Sequence, residues 1–362
     1  MTRPARAVIE LDALRDNLQR AQTAAPRSRQ FAIVKANGYG HGLLPVAQAL
    51  APGLGEGSGF GVASLDEALA LREAGIDHPV LLLEGFFDAD ELGAIRRHRL
   101  EIVVHHDAQL ASLAQLSGDA DPIPVWLKVD TGMRRLGFLP AEVPAAWQRL
   151  RDNSAVLPRC LMTHLACADD LRAPATRQQI DCFQSLLPDQ PAQRSIANSA
   201  GILGWLDSHA DIVRPGIMLY GVSPFVNETA KARRLRPAMA LHSEIIAIKH
   251  CRRGDAVGYG GDWICPTDLS LGVVAMGYGD GYPRHAPAGT PVLVNGRRAP
   301  LVGRVSMDML CVDLRGHPQA RVGDPVLLWG DGLPVEEVAQ AAGTIAYELL
   351  CGVTPRVPRE YQ

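Results

Sequence analysis

FAIVKANGYGHG, residues 31 to 42, is the stretch around which the chain is organised. An apolar run ends in Lys35, and three glycines with two polar rings, Tyr39 and His41, follow it. Apolar runs bounded by glycine read as buried strands. A lysine at the end of such a strand is costly to bury as an ammonium, because desolvation favours the neutral amine. The neutral amine is a nucleophile, which is what Schiff-base chemistry requires. The plainer alternative is a lysine whose stem lies on apolar surface while its head reaches water. Lysine usage favours the chemical reading. Lys35, Lys128, Lys231 and Lys249 are the only lysines, arginine carries the rest of the positive charge, and the first two close apolar strands.

On either side of this stretch, strand-like and helix-like segments alternate. Strands are predicted at Phe31–Ala36, Gly59–Ala63, Val80–Leu83, Glu101–Val104, Val125–Val129, Cys160–His164, Ser195–Asn198 and Ile212–Tyr220. Amphipathic runs such as Leu11–Ala24, Leu65–Glu73, Ala89–His98, Ala141–Leu150 and Arg177–Leu186 fall before and between them. Eight strands, each followed by a connecting segment, describe an α/β fold, a closed (β/α)8 TIM-type barrel. A doubly wound open sheet is the alternative, but it rarely sustains eight regular units without a glycine fingerprint.

The pattern changes near Arg233–Pro237, where helical runs give way to short β segments. Strands are predicted at His242–Lys249, Ser270–Met276, Pro291–Val294, Arg298–Val302, Met309–Leu314 and Pro325–Trp329, with one short helix at Val335–Ala342. Asn295-Gly296 between two of these strands is a strong hairpin signal. The expected domains are therefore a barrel over 1–234 and a C-terminal, mostly antiparallel β domain over 235–362. The opening strand, Ala5–Glu10, can pack with the second domain.

The 362 residues are 47% hydrophobic and 21% charged, ordinary for a globular protein with room for two domains. A formal net charge of -3 offers no basic surface for nucleic acid, and no apolar run is long enough to span a membrane. The N-terminus shows no apolar signal core, so a cytoplasmic location is expected. Seven cysteines without a CxxC pair indicate neither a zinc site nor a disulfide framework, and no metal is expected.

Barrel active sites lie at the carboxyl ends of the strands, and phosphate is commonly held by the last two loops. On that rim fall Lys35, Lys128 with Asp130, Arg134 and Arg135, then His164, Asn198-Ser199 and Arg214. Asn198-Ser199-Ala200-Gly201 opening a helix, with the amides of Arg214-Pro215-Gly216-Ile217, could cradle a phosphate. A reactive lysine beside a phosphate cradle suggests pyridoxal phosphate. Taken singly, Lys128 could be an ion-pair partner of Asp130, His164 a core histidine, and the arginines loop residues.

At these residues the chain resembles the alanine racemase family. VKANGYGHG, KVDTGMRRLGF, MTHLACAD, NSAG, RPGIMLYG, VGYGGDW, GYGDGYPR, GRVSMDM and AYELLC occur in the family's order, across nearly the whole length. The resemblance implies that Lys35 carries pyridoxal 5'-phosphate as a Schiff base. Tyr39, Ser199, Gly216, Ile217 and Tyr347 would reach its phosphate, with Asn198 beside them. Arg135, which alignment favours over Arg134, would bond the cofactor's phenolic oxygen and approach the substrate carboxylate. Arg214 would face the ring nitrogen, and His164 would bond both Arg214 and the second base, giving that base a positive environment. That second base would be Tyr259, lent with Met307 and Asp308 by the other chain of a head-to-tail homodimer. Tyr278, Arg284 and Arg304 would line the entrance, and Lys128 could be carbamylated. The implied activity is interconversion of L- and D-alanine, for cell-wall precursor supply or D-alanine breakdown. A barrel-type amino-acid decarboxylase is the runner-up, although it needs no second base. A pyridoxal phosphate carrier without turnover is a third reading.

Overall fold

The computed structural model describes residues 3–118, 121–186, 192–226 and 228–362. Strand β1 (Arg6–Ile9) opens the chain and leads into a helix, Leu11–Ala24. Eight parallel strands then close into a barrel: β2 (Arg29–Ile33), β3 (Gly59–Val62), β4 (Val80–Leu82), β5 (Glu101–Val104), β6 (Ile123–Lys128), β7 (Val156–Met162), β8 (Gln193–Ser195) and β9 (Ile212–Val213). Pairing of β2 with β9 completes the closure, as the alternating pattern predicted.

The barrel interior is filled rather than open. Phe31, Leu81, Val103, Trp126, Cys160, Met162 and Ile212 form one buried cluster drawn from six of the strands. Phe31 and Trp126 meet edge to face at 4.9 Å, and the Trp126 indole N–H donates to the Glu101 carboxylate at 2.6 Å. Each large side chain sequestered here contributes about 1.5–3 kcal/mol, which fixes the strand register beneath the rim. The helix Leu11–Ala24 buries Leu14, Leu18 and Ala21 along one stripe, the 3.6-residue periodicity seen in its sequence.

Several strands end before the apolar runs suggested, the first and last of the barrel among them. The first ends at Ile33, and Lys35 lies beyond it in a turn. The last ends at Val213; Pro215 has no N–H to donate, and the chain turns into a 3-10 segment at Ile217–Tyr220.

The remaining strands are β10 (Met239–Cys251), β11 (Ala256–Val257), β12 (Trp263–Ile264), β13 (Leu269–Val274), β14 (Pro291–Val294), β15 (Arg297–Val302), β16 (Leu310–Asp313), β17 (Pro325–Trp329) and β18 (Arg359–Tyr361). Eight strands form one sheet in the order β13-β16-β15-β14-β17-β10-β1-β18, and only β1 and β18 in it run parallel. The opening strand therefore belongs to this sheet, not to the barrel. Asn295 and Gly296 both have positive φ, as a two-residue hairpin turn between β14 and β15 requires. The helix Val335–Ala342 forms as expected. A second helix, Ala346–Gly352, was not anticipated, and it brings Tyr347 to the barrel rim.

Candidate active site

The segment after β2 is wound left-handed. Ala36, Asn37, Gly38, Tyr39 and Gly40 have φ of 54, 55, 60, 49 and 80° in succession. For an L-residue this conformation costs about 1–2 kcal/mol, so Ala36, Asn37 and Tyr39 together store several kcal/mol, to be offset by packing. Gly40 shows why no side chain is tolerated: a Cβ there would lie 2.1 Å from the Leu350 carbonyl oxygen. The turn thus sits directly on the helix that carries Tyr347.

Three rings hold it in place. Tyr220 stacks on Tyr39 at 4.6 Å and meets the His41 ring at 4.7 Å, while its hydroxyl donates to the Ile33 carbonyl at 2.9 Å. His41 is fully buried, with Nδ1 bonded to the Tyr39 carbonyl at 2.9 Å. Burial pushes its pKa down to about 4, so it is neutral at pH 7 and donates from Nδ1.

A cavity of about 610 Å³ opens at the carboxyl ends of the strands. Lys35, Tyr39, Lys128, Arg135, His164, Asn198, Ser199, Arg214, Gly216, Ile217 and Tyr347 all line it, which unites the barrel residues singled out in the sequence. Arg134 is not among them; it turns outward with a φ of 58° while its amide donates to the Asp130 carboxylate. Asp130 also accepts from the Gly132 amide, so it shapes this loop, and no ion pair with Lys128 appears among the described residues.

Asn198 caps the helix Ser199–Gly204, its side chain accepting from the Gly201 amide at 3.0 Å. The Ser199 hydroxyl accepts from the amides of Gly216 at 2.9 Å and Met218 at 3.3 Å, which binds the two final barrel loops together. Gly216 leaves space against Tyr39, whose hydroxyl would lie 2.9 Å from a Cβ at that position.

Electrostatically the cavity is strongly positive. Glu84 is the one carboxylate among its lining residues, against Lys35, Lys128, Arg135 and Arg214. Arg214 is buried and donates to the Ser195 hydroxyl, the Thr163 carbonyl at 2.5 Å and the Ile196 carbonyl at 3.2 Å. Burial lowers its pKa to about 10, still well above neutrality. Lys35 is half-buried, whereas Lys128 is 7% exposed. The more desolvated lysine is thus Lys128, lowered to about 8 by burial and then by Arg214, Arg135 and Lys35. Burial, followed by those same cations, holds His164 well below the usual histidine range. His164 is therefore a neutral imidazole. The positive environment expected of it resides in Arg214, and among the described residues the Arg214 hydrogen bonds do not include one to His164.

Tyr259, Met307 and Asp308 do not line this cavity in the single chain. Tyr259 is 68% exposed at the tip of the β11–β12 hairpin, and Met307 is 53% exposed. Asp308 pairs with Arg356 at 2.6 Å, and Arg304 pairs with Asp262 beside the tyrosine. Arg284 and Arg304 share a shallow pocket next to that hairpin, and Tyr278 is partly exposed. Glu84 and Cys351, not among the candidates drawn from the sequence, also line the cavity; Glu84 follows the third apolar run of the barrel, the position of a strand-end carboxylate.

The donors fit a phosphorylated anionic aldehyde. Its phosphate would meet the Tyr39, Ser199 and Tyr347 hydroxyls and the cradle at Gly216, and its aldehyde a primary amine. A cationic pocket on the carboxyl rim of a closed barrel, in a chain that also carries an antiparallel β domain, defines a two-domain barrel enzyme. Residues 9–224 match the profile described as alanine racemase, N-terminal domain, and residues 238–361 that of alanine racemase, C-terminal domain. An alanine racemase of Halorhodospira halophila is 54% identical over 361 residues, 99% of this chain and 98% of that protein. A biosynthetic alanine racemase of Escherichia coli is 51% identical over 361 residues, 99% of each. The crystal structure of the biosynthetic alanine racemase from Pseudomonas aeruginosa superposes with a TM-score of 0.96 at 48% identity, covering 100% of both chains. The chain belongs to the alanine racemase family. No helix among the described residues is long and apolar enough to cross a membrane, and none of their acidic, histidine and cysteine side chains cluster as a metal site.

Proposed function

We propose that this protein interconverts L- and D-alanine, using pyridoxal phosphate, as a head-to-tail homodimer in the cytoplasm. The observation that carries this reading is the convergence of Lys35, Arg135, Arg214 and the Tyr39–Ser199–Gly216 cradle in one cationic cavity, in a chain homologous to alanine racemases over its full length. When bound, the cofactor supplies an electron-withdrawing ring that acidifies the α-hydrogen of an attached amino acid.

The chain's own residues do the rest. Lys35 would hold the cofactor at its aldehyde carbon and move the α-proton at Nζ on one face. The opposite face needs a second base, and the partner subunit's Tyr259 would supply it at Oη. A phenol has an ordinary pKa of about 10, so this base works only next to positive charge. Neutral His164 can accept a hydrogen bond from the phenol, and the nearby Arg214 cation favours the phenolate. Arg214 would donate to the ring nitrogen without protonating it, since a guanidinium does not give up its proton. Such a ring withdraws electrons less strongly, which limits side reactions. Arg135 would bind the phenolic oxygen and the substrate carboxylate, with Met307 and Asp308 of the partner closing the wall. The domain division at 234/235 fits these roles, the first unit binding the cofactor and the second lending the base.

Lys128 is set up for carbamylation: an amine with a pKa near 8 reacts with carbon dioxide, and the resulting anion would be stabilised by Arg135. A 13C carbamate signal from labelled bicarbonate, absent in Lys128→Ala, is the expected result; equal signals overturn it.

The function is tested by incubating the cofactor-loaded protein with one enantiomer of alanine. Optical rotation should decay to zero without gas release. Constant rotation overturns the reading, and decay accompanied by carbon dioxide favours the decarboxylase.

A further inference from the structure

The β domain contains a cluster of thiols to which the proposed reaction gives no role. Cys251 ends β10, Cys265 follows β12, and Cys311 lies on β16, all around one apolar cluster with Val257, Leu269, Leu271 and Val302. Cys251 and Cys311 each pack against the buried cluster that contains Cys265, and Cys251 lies one tight turn before the Gly254 and Asp255 backbone groups that bond Cys265. Neither Cys251 nor Cys265 is in a disulfide, and they differ in exposure: Cys251 is half-buried and Cys265 is buried.

The chain between them makes the pair more than two adjacent thiols. Residues 252–264 form a tight turn and the β11–β12 hairpin, with Tyr259 at its tip. The base of this excursion is tied by hydrogen bonds from the Cys265 amide to the Asp255 carbonyl at 2.8 Å and from the Gly254 amide to the Cys265 carbonyl at 2.9 Å. Arg252 and Arg253, both exposed, follow the more accessible thiol, and their backbone amides donate to the Asp255 and Asp268 carboxylates at 2.7 and 2.8 Å.

We propose that Cys251 and Cys265 form an oxidisable pair, a disulfide modification site that staples the base of the Tyr259 hairpin and takes a low-molecular-weight disulfide as oxidant. In the first step the Cys251 thiolate attacks one sulfur of the small disulfide; its S–S bond breaks, one small thiolate leaves, and a mixed disulfide forms. The Cys265 thiol then loses its proton to water and attacks the Cys251 sulfur, releasing the second small thiolate. Two protein thiols are oxidised, one small disulfide is reduced to two thiols, and these take up the two protons. Burial holds the Cys265 thiol above its usual range, so little of it is thiolate when the second step begins.

The test uses the full chain treated with oxidised glutathione, alkylated, and mapped by peptide mass. The expected product loses two of the seven thiols and contains a Cys251–Cys265 cross-link. Cys265→Ser should stop at a mixed disulfide on Cys251, and Cys311→Ser should leave the cross-link unchanged. A Cys251–Cys311 link, a link between chains, or full alkylation of both cysteines overturns the proposal. The readout is covalent mass, so it stands or falls independently of turnover and of any role for Tyr259.

Discussion

The two ends of the proposed reaction sit in contrasting surroundings. On the barrel rim, Lys128 and Arg214 are buried, Tyr39 is pinned by stacked rings, and Ser199 ties two loops together. On the β domain, Tyr259 and Met307 stand largely in solvent, the tyrosine on a glycine-rich turn. In the proposed reading, closure of the barrel completes one half of a site within a single chain. The other half faces outward, and an exposed tyrosine and methionine at such a position suit a surface that another copy covers.

The most severe way to break this contrast is to disable each half in a different chain. Lys35→Ala and Tyr259→Phe should each lower racemisation by about a hundred- to ten-thousand-fold, the range for loss of a positioned acid or base. Co-refolded in equal amounts, the two variants should regain about a quarter of normal activity, because half the dimers are mixed and each of those has one intact site. No recovery would mean that Tyr259 serves its own chain or none.

A smaller effect sharpens the rigid half. Gly40→Ala forces a Cβ against the Leu350 carbonyl on a left-handed residue, and should destabilise the fold by about 2–5 kcal/mol in denaturant unfolding. Ala substitution at Gly254, where a Cβ would meet nothing within 4 Å, should cost less although its φ is also positive. Equal costs would show that packing on the Tyr347 helix is unimportant.

The mildest effect is acid sensitivity. His41 has its folded pKa lowered from 6.5 to about 4, so between those values the unfolded chain binds the extra proton. Its contribution is complete above pH 6.5 and is lost as pH falls toward 4, by at most about 3 kcal/mol. Thermal midpoints measured across that window should fall less steeply in His41→Gln. Parallel slopes would remove His41 from the account.

Much of this was legible in the sequence. The alternation of apolar and amphipathic runs gave the closed barrel, because buried parallel strands lack any need for polar positions. Pro291–Val294 and Pro325–Trp329 appear with their expected ends, since turn residues mark them sharply. What stayed hidden has a common cause. Apolar periodicity carries no information on the sign of φ, so Ala36 read as strand where the chain in fact reverses its winding. Nor does it report non-local partners: β1 lies between β10 and β18, more than 200 residues away in sequence. The helix bearing Tyr347 is seven residues long and ends on a glycine. Within the cavity, residue types gave the candidates, but only three dimensions showed that Lys128 is enclosed and Lys35 is on the rim.

The inverted winding of residues 36–40 has a chemical corollary. For that short span the backbone follows the torsion angles natural to D-amino acids, and an enzyme proposed to make a D-amino acid mounts its lysine against it. A semisynthetic chain with D-alanine at position 38 would keep those angles while restricting the denatured ensemble, and should melt at a higher temperature by an amount corresponding to about 0.4–1 kcal/mol.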